Sequence, residues 1–253
     1  MGPASYTVAA SDLKAKSKEV KMFKFADDTS LVTAGKHYAK VKDELEQIEA
    51  WAQSNNLQLN KSKTFEIVFF KKNCKKKRFP PEATPGIKRV NSIKLLGVTL
   101  QNNLSMDEHI GNVLSECATN LYALYTLKAH GLHERELCET YRAKILSKIL
   151  YASPAWWGYC NSDSCNRINS FLNKSKKFGF YSQDGDLFEM LCQAADDNLF
   201  AKVKNNPEYV LHPLCQRPRP IIMICVIESM TLSCQSMTTE IFSLEFYLKT
   251  CIN

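Results

Sequence analysis

The sequence predicts an α+β chain in which a small antiparallel sheet with one packed helix leads into a helical domain. Three observations carry this expectation. Apolar residues bracket two adjacent carboxylates between Val20 and Val32, an amphipathic stripe runs from Tyr38 to Ala52, and helical periodicity takes over after Leu100. The expected division is a sheet-containing domain over residues 1–104, a helical region over 105–215 and a tail over 216–253 whose status the pattern leaves open.

Residues 1–19 carry no helix cap, no complete periodic segment and no targeting pattern, and read as a chain entered partway through a fold. Phe23, Phe25, Leu31 and Val32 then suit two short strands joined at a tight turn, with Asp27 and Asp28 at its tip. Paired carboxylates on a hairpin suit Mg²⁺, which takes one or two carboxylates plus substrate phosphates. Asp also favours ordinary turns, and Ala195-Asp196-Asp197 repeats the tripeptide in a helix-like context. The pair alone therefore leaves a solvated turn and a metal site both open.

Tyr38, Val41, Leu45, Ile48 and Ala52 recur at helical spacing, with Asn55 and Asn56 as stop residues. A short extended piece over 57–63 and a strand over 64–70 follow, then a lysine run and the breakers Pro80, Pro81, Pro85 and Gly86. Residues 93–100 read as one strand with Gly97 inside it, a position that often marks a bulge or the close approach of another backbone. Ser105 and Glu108 have capping-box spacing. Ile110, Val113, Leu114, Cys117, Leu121, Leu124 and Tyr125 trace one face of a long helix that Gly131 stops. Leu137, Tyr141, Ile145 and Ile149 mark a second helix. The aromatic stretch from Tyr151 to Tyr159 is expected in the core. Ile168, Phe171 and Leu172 mark a third helix ending in Lys174, Lys176 and Lys177, and residues 187–204 a fourth. Beyond Gln216 no clean period survives, and the composition suggests an appended segment.

Charge is concentrated. The net charge is +7, yet Lys61 to Lys94 alone holds eleven basic and two acidic residues, leaving 22 basic and 24 acidic elsewhere. Lys71, Lys72, Lys75, Lys76, Lys77 and Arg78 form its centre, with Phe69, Phe70 and Phe79 close by. Such a mixture suits a nucleic-acid backbone, where neutralised phosphates release counterions and rings stack on bases. A solvated loop carries the same letters. Ten cysteines without zinc-site spacing point to free thiols in a reducing compartment, and the longest apolar run, Ile221 to Ile227, is too short to span a bilayer. An intracellular protein of cytoplasm or nucleus, without a membrane partner, is expected.

Taken in order, these motifs resemble the C-terminal part of a non-LTR (LINE-type) retrotransposon reverse transcriptase, the end of its palm plus its thumb. Phe25-Ala26-Asp27-Asp28 is similar to the family's catalytic hairpin, Leu57 to Thr64 to its Asn-then-Lys-Thr palm motif, and Ile93 to Val98 to its primer-grip strand. The stretches Tyr151 to Gly158 and Phe171 to Tyr181 resemble its thumb and connection. The resemblance covers roughly Gly2 to Cys215. It implies an RNA-directed DNA polymerase using Mg²⁺ or Mn²⁺, an RNA template and a DNA primer. Asp27 would be a metal ligand, Asp28 would assist, and Lys63 would sit near the incoming triphosphate as a proton donor. Lys71, Lys72, Lys75, Lys76, Lys77, Arg78, Lys94 and Gly97 would meet the template–primer duplex.

The family's upstream metal-binding Asp strand and fingers have no counterpart here, since only Asp12 and Glu19 precede the hairpin. The chain alone is accordingly expected to lack polymerase activity, unless a complementing chain carries the missing palm and fingers. A non-catalytic nucleic-acid-binding remnant using residues 61–94 is the alternative, and a protein with no role a third.

Overall fold

A computed structural model of the chain describes residues 8–70, 82–215 and 245–251, the last by backbone alone. The Lys71–Arg78 run lies outside the described residues. Two compact units divide the chain, one taking in Met1–Leu95, Leu100–Leu104 and Ser236–Asn253, the other Leu96–Thr99 and Ser105–Gln235.

The first unit is built on a five-stranded sheet. Strands β1 (Val20–Phe25) and β2 (Asp28–Ala34) form the expected hairpin, β3 spans Phe65–Phe69, and β4 spans Lys88–Val90. Helix α1 (Ala39–Ser54) packs Val41, Leu45, Ile48 and Ala52 with Val20 and Leu31 in one core. Its end is fixed as the sequence suggested. Asn56 adopts a positive φ of 55°, and the amides of Asn56 and Leu57 bond back to Gln53 and Ala52, a Schellman closure. A second core joins Ile67, Phe65 and Phe69 of β3 with Val32, Val90, Ile93, Leu95 and Leu100. Alternation along β3 explains the division, since Ile67 faces this core while its neighbours Glu66 and Val68 point to the opposite face.

Two features depart from the sequence reading. The sheet is mixed, because β3 and β4 pair in parallel, Phe65 opposite Lys88 and Ile67 opposite Val90. The connection between them is long enough for the crossover that parallel pairing needs. In addition, the supposed tail supplies a strand: β7 (Glu245–Cys251) lies between β2 and β3, antiparallel to both, giving the order β1-β2-β7-β3-β4. Phe246, Tyr247 and Leu248 favour strands, but the run has no period-2 alternation to announce it.

Residues 93–100 are not one strand. They form β5 (Ser92–Leu95) and β6 (Val98–Gln101), paired as a hairpin. Leu96 and Gly97, with φ of 44° and 90°, make the two-residue connection, and two positive φ values in succession characterise the type I′ turn that matches strand twist.

The second unit is helical. Helix α2 (Asp107–Ala129) buries His109, Ile110, Val113, Cys117, Leu121 and Leu124, and Gly131 (φ 88°) closes it as expected. Ser105 meets the first turn: its Oγ accepts from the Asp107 amide (3.2 Å) and donates to the Asp107 carboxylate (2.7 Å). Helix α3 (Glu134–Tyr141) continues through a π-helical turn (Arg142–Leu146) and Ser147–Ile149, burying Leu137, Tyr141, Ile145 and Ile149. Helices α4 (Ser162–Lys177), α5 (Phe188–Asn205) and α6 (His212–Cys215) follow. The aromatic stretch is only partly core. Trp156 is buried between His109 and Phe188, whereas Tyr151 and Tyr159 stay half exposed, as does Tyr125 of α2. Burial keeps these free thiols protonated, pushing Cys117 of the core to about 11 and half-buried Cys160 to about 12. No described helix is long and apolar enough to cross a membrane.

Candidate functional site

The β1–β2 hairpin turns on Ala26, whose positive φ of 49° lets two residues connect the strands and leaves Phe25 paired with Asp28. Asp27 lies in the turn and is exposed; Asp28 opens β2 and is half-buried. Behind them Thr29, Ser30 and Leu31 are buried, so the acids sit on a fixed base. Side chains brace the hairpin too. Lys24 Nζ donates to the carbonyls of Ala10 (2.5 Å) and Leu13 (2.9 Å), and Thr33 Oγ1 donates to the Glu19 carbonyl. Glu44, fully buried in α1, accepts from the amides of Lys16 (3.0 Å) and Ser17 (2.6 Å), holding the segment ahead of β1 against the helix.

Lys63 ends a 3₁₀ turn (Lys61–Lys63) just before β3 and is exposed. Asn60 shapes that turn. Its Oδ1 accepts from the Lys63 amide (3.2 Å) and Ser62 Oγ (2.7 Å), and its carbonyl accepts from buried Thr64 Oγ1 (2.8 Å). The Asn-then-Lys-Thr pattern thus has a local cause: Asn60 caps the turn, Thr64 anchors it, and Lys63 stands exposed between them. Sheet register relates Lys63 to the acids. Asp28 pairs with Cys251, and Ser30 and Phe65 both pair with Lys249, so β3 begins at the end of the sheet where the hairpin turns. Two strand spacings separate the rows, roughly 10 Å. Asp27, Asp28 and Lys63 therefore share one end of the sheet.

The other expected contacts are dispersed. Lys94 is exposed on β5, and Lys71, Lys72, Lys75, Lys76, Lys77 and Arg78 lie outside the described residues. At Gly97 the close approach comes from within the chain. A Cβ there would stand 2.9 Å from Tyr151 Cε1, and the Tyr151 hydroxyl donates to the Leu96 carbonyl at 3.0 Å. Tyr151 is the residue that sequence reasoning left unconnected to a site, since nothing local pairs it with a turn so far back in the chain.

The acids do not make a metal site by themselves. Among the described residues no group of three or more His, Cys, Asp or Glu side chains is arranged to hold a metal ion. An adjacent pair supplies part of an oxygen shell, short of the near-octahedral set that Mg²⁺ demands unless phosphates and waters complete it.

Comparison with known proteins gives one informative similarity. Over 128 aligned residues the chain is 27% identical to the RNA-directed DNA polymerase from mobile element jockey of Drosophila melanogaster, covering 45% of this chain and 13% of that polymerase. The relationship to such a polymerase is distant and partial. No family model matches the chain, and no solved structure matches it.

Proposed function

We propose that the chain is a piece of a non-LTR-type reverse transcriptase, the end of the palm and the thumb, which by itself binds nucleic acid and does not polymerise nucleotides. One observation carries the reading: the acid-tipped hairpin and the Asn-capped turn that presents Lys63 stand at the same end of one sheet, in the order in which the polymerase motifs run. The similarity to the jockey polymerase supports it. Phosphate contacts from the basic run between Lys61 and Lys94 supply the affinity, with Lys71, Lys72, Lys75, Lys76, Lys77 and Arg78 at its centre and Lys94 at its edge. Among the described residues no third His, Cys, Asp or Glu joins the two neighbouring carboxylates, and such a pair binds a divalent ion weakly and positions no triphosphate, which supports the absence of polymerisation.

Primer extension on an RNA template with Mg²⁺ or Mn²⁺, run beside binding of a labelled primer–template duplex, tests both halves. Binding that falls steeply with salt and survives Asp27→Ala, with no extension, is expected. Nucleotide incorporation that disappears in Asp27→Ala overturns the inactivity; duplex binding that is absent at low salt overturns the nucleic-acid reading.

A further inference from the structure

Four contacts, all inside the helical unit, close a ring around the turn at Leu96 and Gly97. The Tyr151 hydroxyl donates to the Leu96 carbonyl (3.0 Å), and Trp156 Nε1 donates to the Tyr151 carbonyl (2.9 Å). The buried Trp156 ring meets His109 edge-on at 4.9 Å, and His109 Nδ1 accepts from the Thr99 amide (3.3 Å). The segment Leu96–Thr99 is thus tied to the helices at both ends, by Tyr151 at one and His109 at the other. Ala152, forced to a positive φ of 51°, turns the chain sharply enough for Tyr151 to reach back while Trp156 enters the core.

Tyr151 combines fixity with exposure. Both of its ends are hydrogen-bonded and one ring edge fills the place of a Gly97 side chain, yet the residue is 52% exposed and Leu96 beside it 44%. A side chain ordered in this way has met its entropic cost before any partner arrives, the condition under which an exposed contact adds most to affinity. A half-exposed aromatic ring suits stacking on a base or sugar. Lys94, two residues ahead of the turn, is exposed and ends the basic stretch that distinguishes this chain.

We propose that Tyr151 is a positioning residue that holds the Leu96–Gly97 turn in one presentation, so that turn and ring meet a nucleic-acid strand as a single preformed surface. The proposal rests on the nucleic-acid reading above and adds to it the residue that fixes the turn. Gly97 serves this surface by making room for Tyr151.

Tyr151→Phe in the full chain tests it, because it deletes the bond to Leu96 and keeps the ring. Hydrogen exchange at the Gly97 and Val98 amides should quicken by about three- to tenfold, the worth of one hydrogen bond. Affinity for a labelled primer–template duplex should weaken by a similar factor with an unchanged salt slope, since no phosphate-neutralising charge is removed. Near-UV circular dichroism of the helical unit should stay as in the unsubstituted chain. Gly97→Ala, which drives a Cβ to 2.9 Å from the ring at a φ of 90°, should act in the same direction and is the second variant should Tyr151→Phe unfold. Exchange at the unsubstituted rate would overturn the positioning role, and faster exchange with unchanged affinity would overturn the surface. Failure of the unsubstituted chain to bind would instead bring down the nucleic-acid reading, and the partner named here with it.

Discussion

Glu66, buried in β3, holds the Arg89 guanidinium on one carboxylate oxygen and Thr84 on the other, the latter through its amide (3.2 Å) and hydroxyl (2.6 Å). The Tyr38 hydroxyl donates to the same oxygen as Thr84. This network staples β4 and the loop before it to β3. Arg89→Leu leaves a buried carboxylate without its cation and should cost about 2–3 kcal/mol. Urea titration, followed by hydrogen exchange in β3 and α1, reads the loss, and an unchanged midpoint would show the network to be ornamental.

Strand β7 joins the β1–β2 and β3–β4 pairs, which do not pair with each other. Leu248→Pro removes one ladder donor from the strand that lies between Leu31 and Glu66 and should cost about 3 kcal/mol or more, because a central strand has no solvent-facing side to leave the gap on. Fluorescence of Trp51, packed against the α1 core, should report the sheet unit's loss. Retention of that core's melting transition would mean that the two strand pairs stand without β7.

Asp196 accepts from Trp157 Nε1 at 2.8 Å, and burial raises its carboxyl above the usual range while that bond pulls the other way. With the folded value above the unfolded one, the native state binds the extra proton. Stability therefore falls as pH rises from about 4, the unfolded value, through the folded value. Asp196→Asn keeps an acceptor for Trp157 and should flatten that fall, giving an equal or higher melting temperature at pH 7. A melting temperature that drops at pH 7 while the acid-side slope persists would refute this account.

Asp107 has the opposite sign. Hydrogen bonds from Ser105 and then Ser164 and Asn161 hold its carboxyl below the ordinary range, so its contribution is present above about pH 4 and lost as pH falls through the folded value. Asp107→Asn should lower the melting temperature of the helical unit at pH 7 by a deficit that shrinks as pH falls below about 4, as calorimetry across that range would show.

Replacing Lys75, Lys76 and Lys77 by Gln should reduce the salt slope of duplex binding by about 2–3, close to 0.9 for each phosphate that is no longer neutralised. A slope that does not move would assign the affinity to other residues.

Much of the architecture is local and was legible. The acid-tipped hairpin, the Asn55–Asn56 stop of α1, the Gly131 stop of α2 and the stripe from Ile110 to Leu124 are each written within a few residues of where they act. What escaped was non-local or ambiguous by period. Leu96–Gly97 lacks the Asn or Asp that announces a type I′ turn, so two strands read as one. The parallel β3–β4 pair and the insertion of β7 depend on crossovers that no local pattern encodes. At the candidate site the letters showed Asp27, Asp28 and Lys63, but only register brought them to one end of the sheet. Gly97 and Tyr151 meet only through the fold, too far apart in the chain for any local pattern to join them.

The central place of β7 also bears on how the protein is made. Translation delivers β1 to β4 first and their middle strand about 175 residues after β3, roughly 10–35 s later at ordinary rates of synthesis. During that interval two open strand edges wait on the ribosome for a neighbour still encoded in message, so assembly of this sheet is a race between the arrival of its last strand and capture by some other chain.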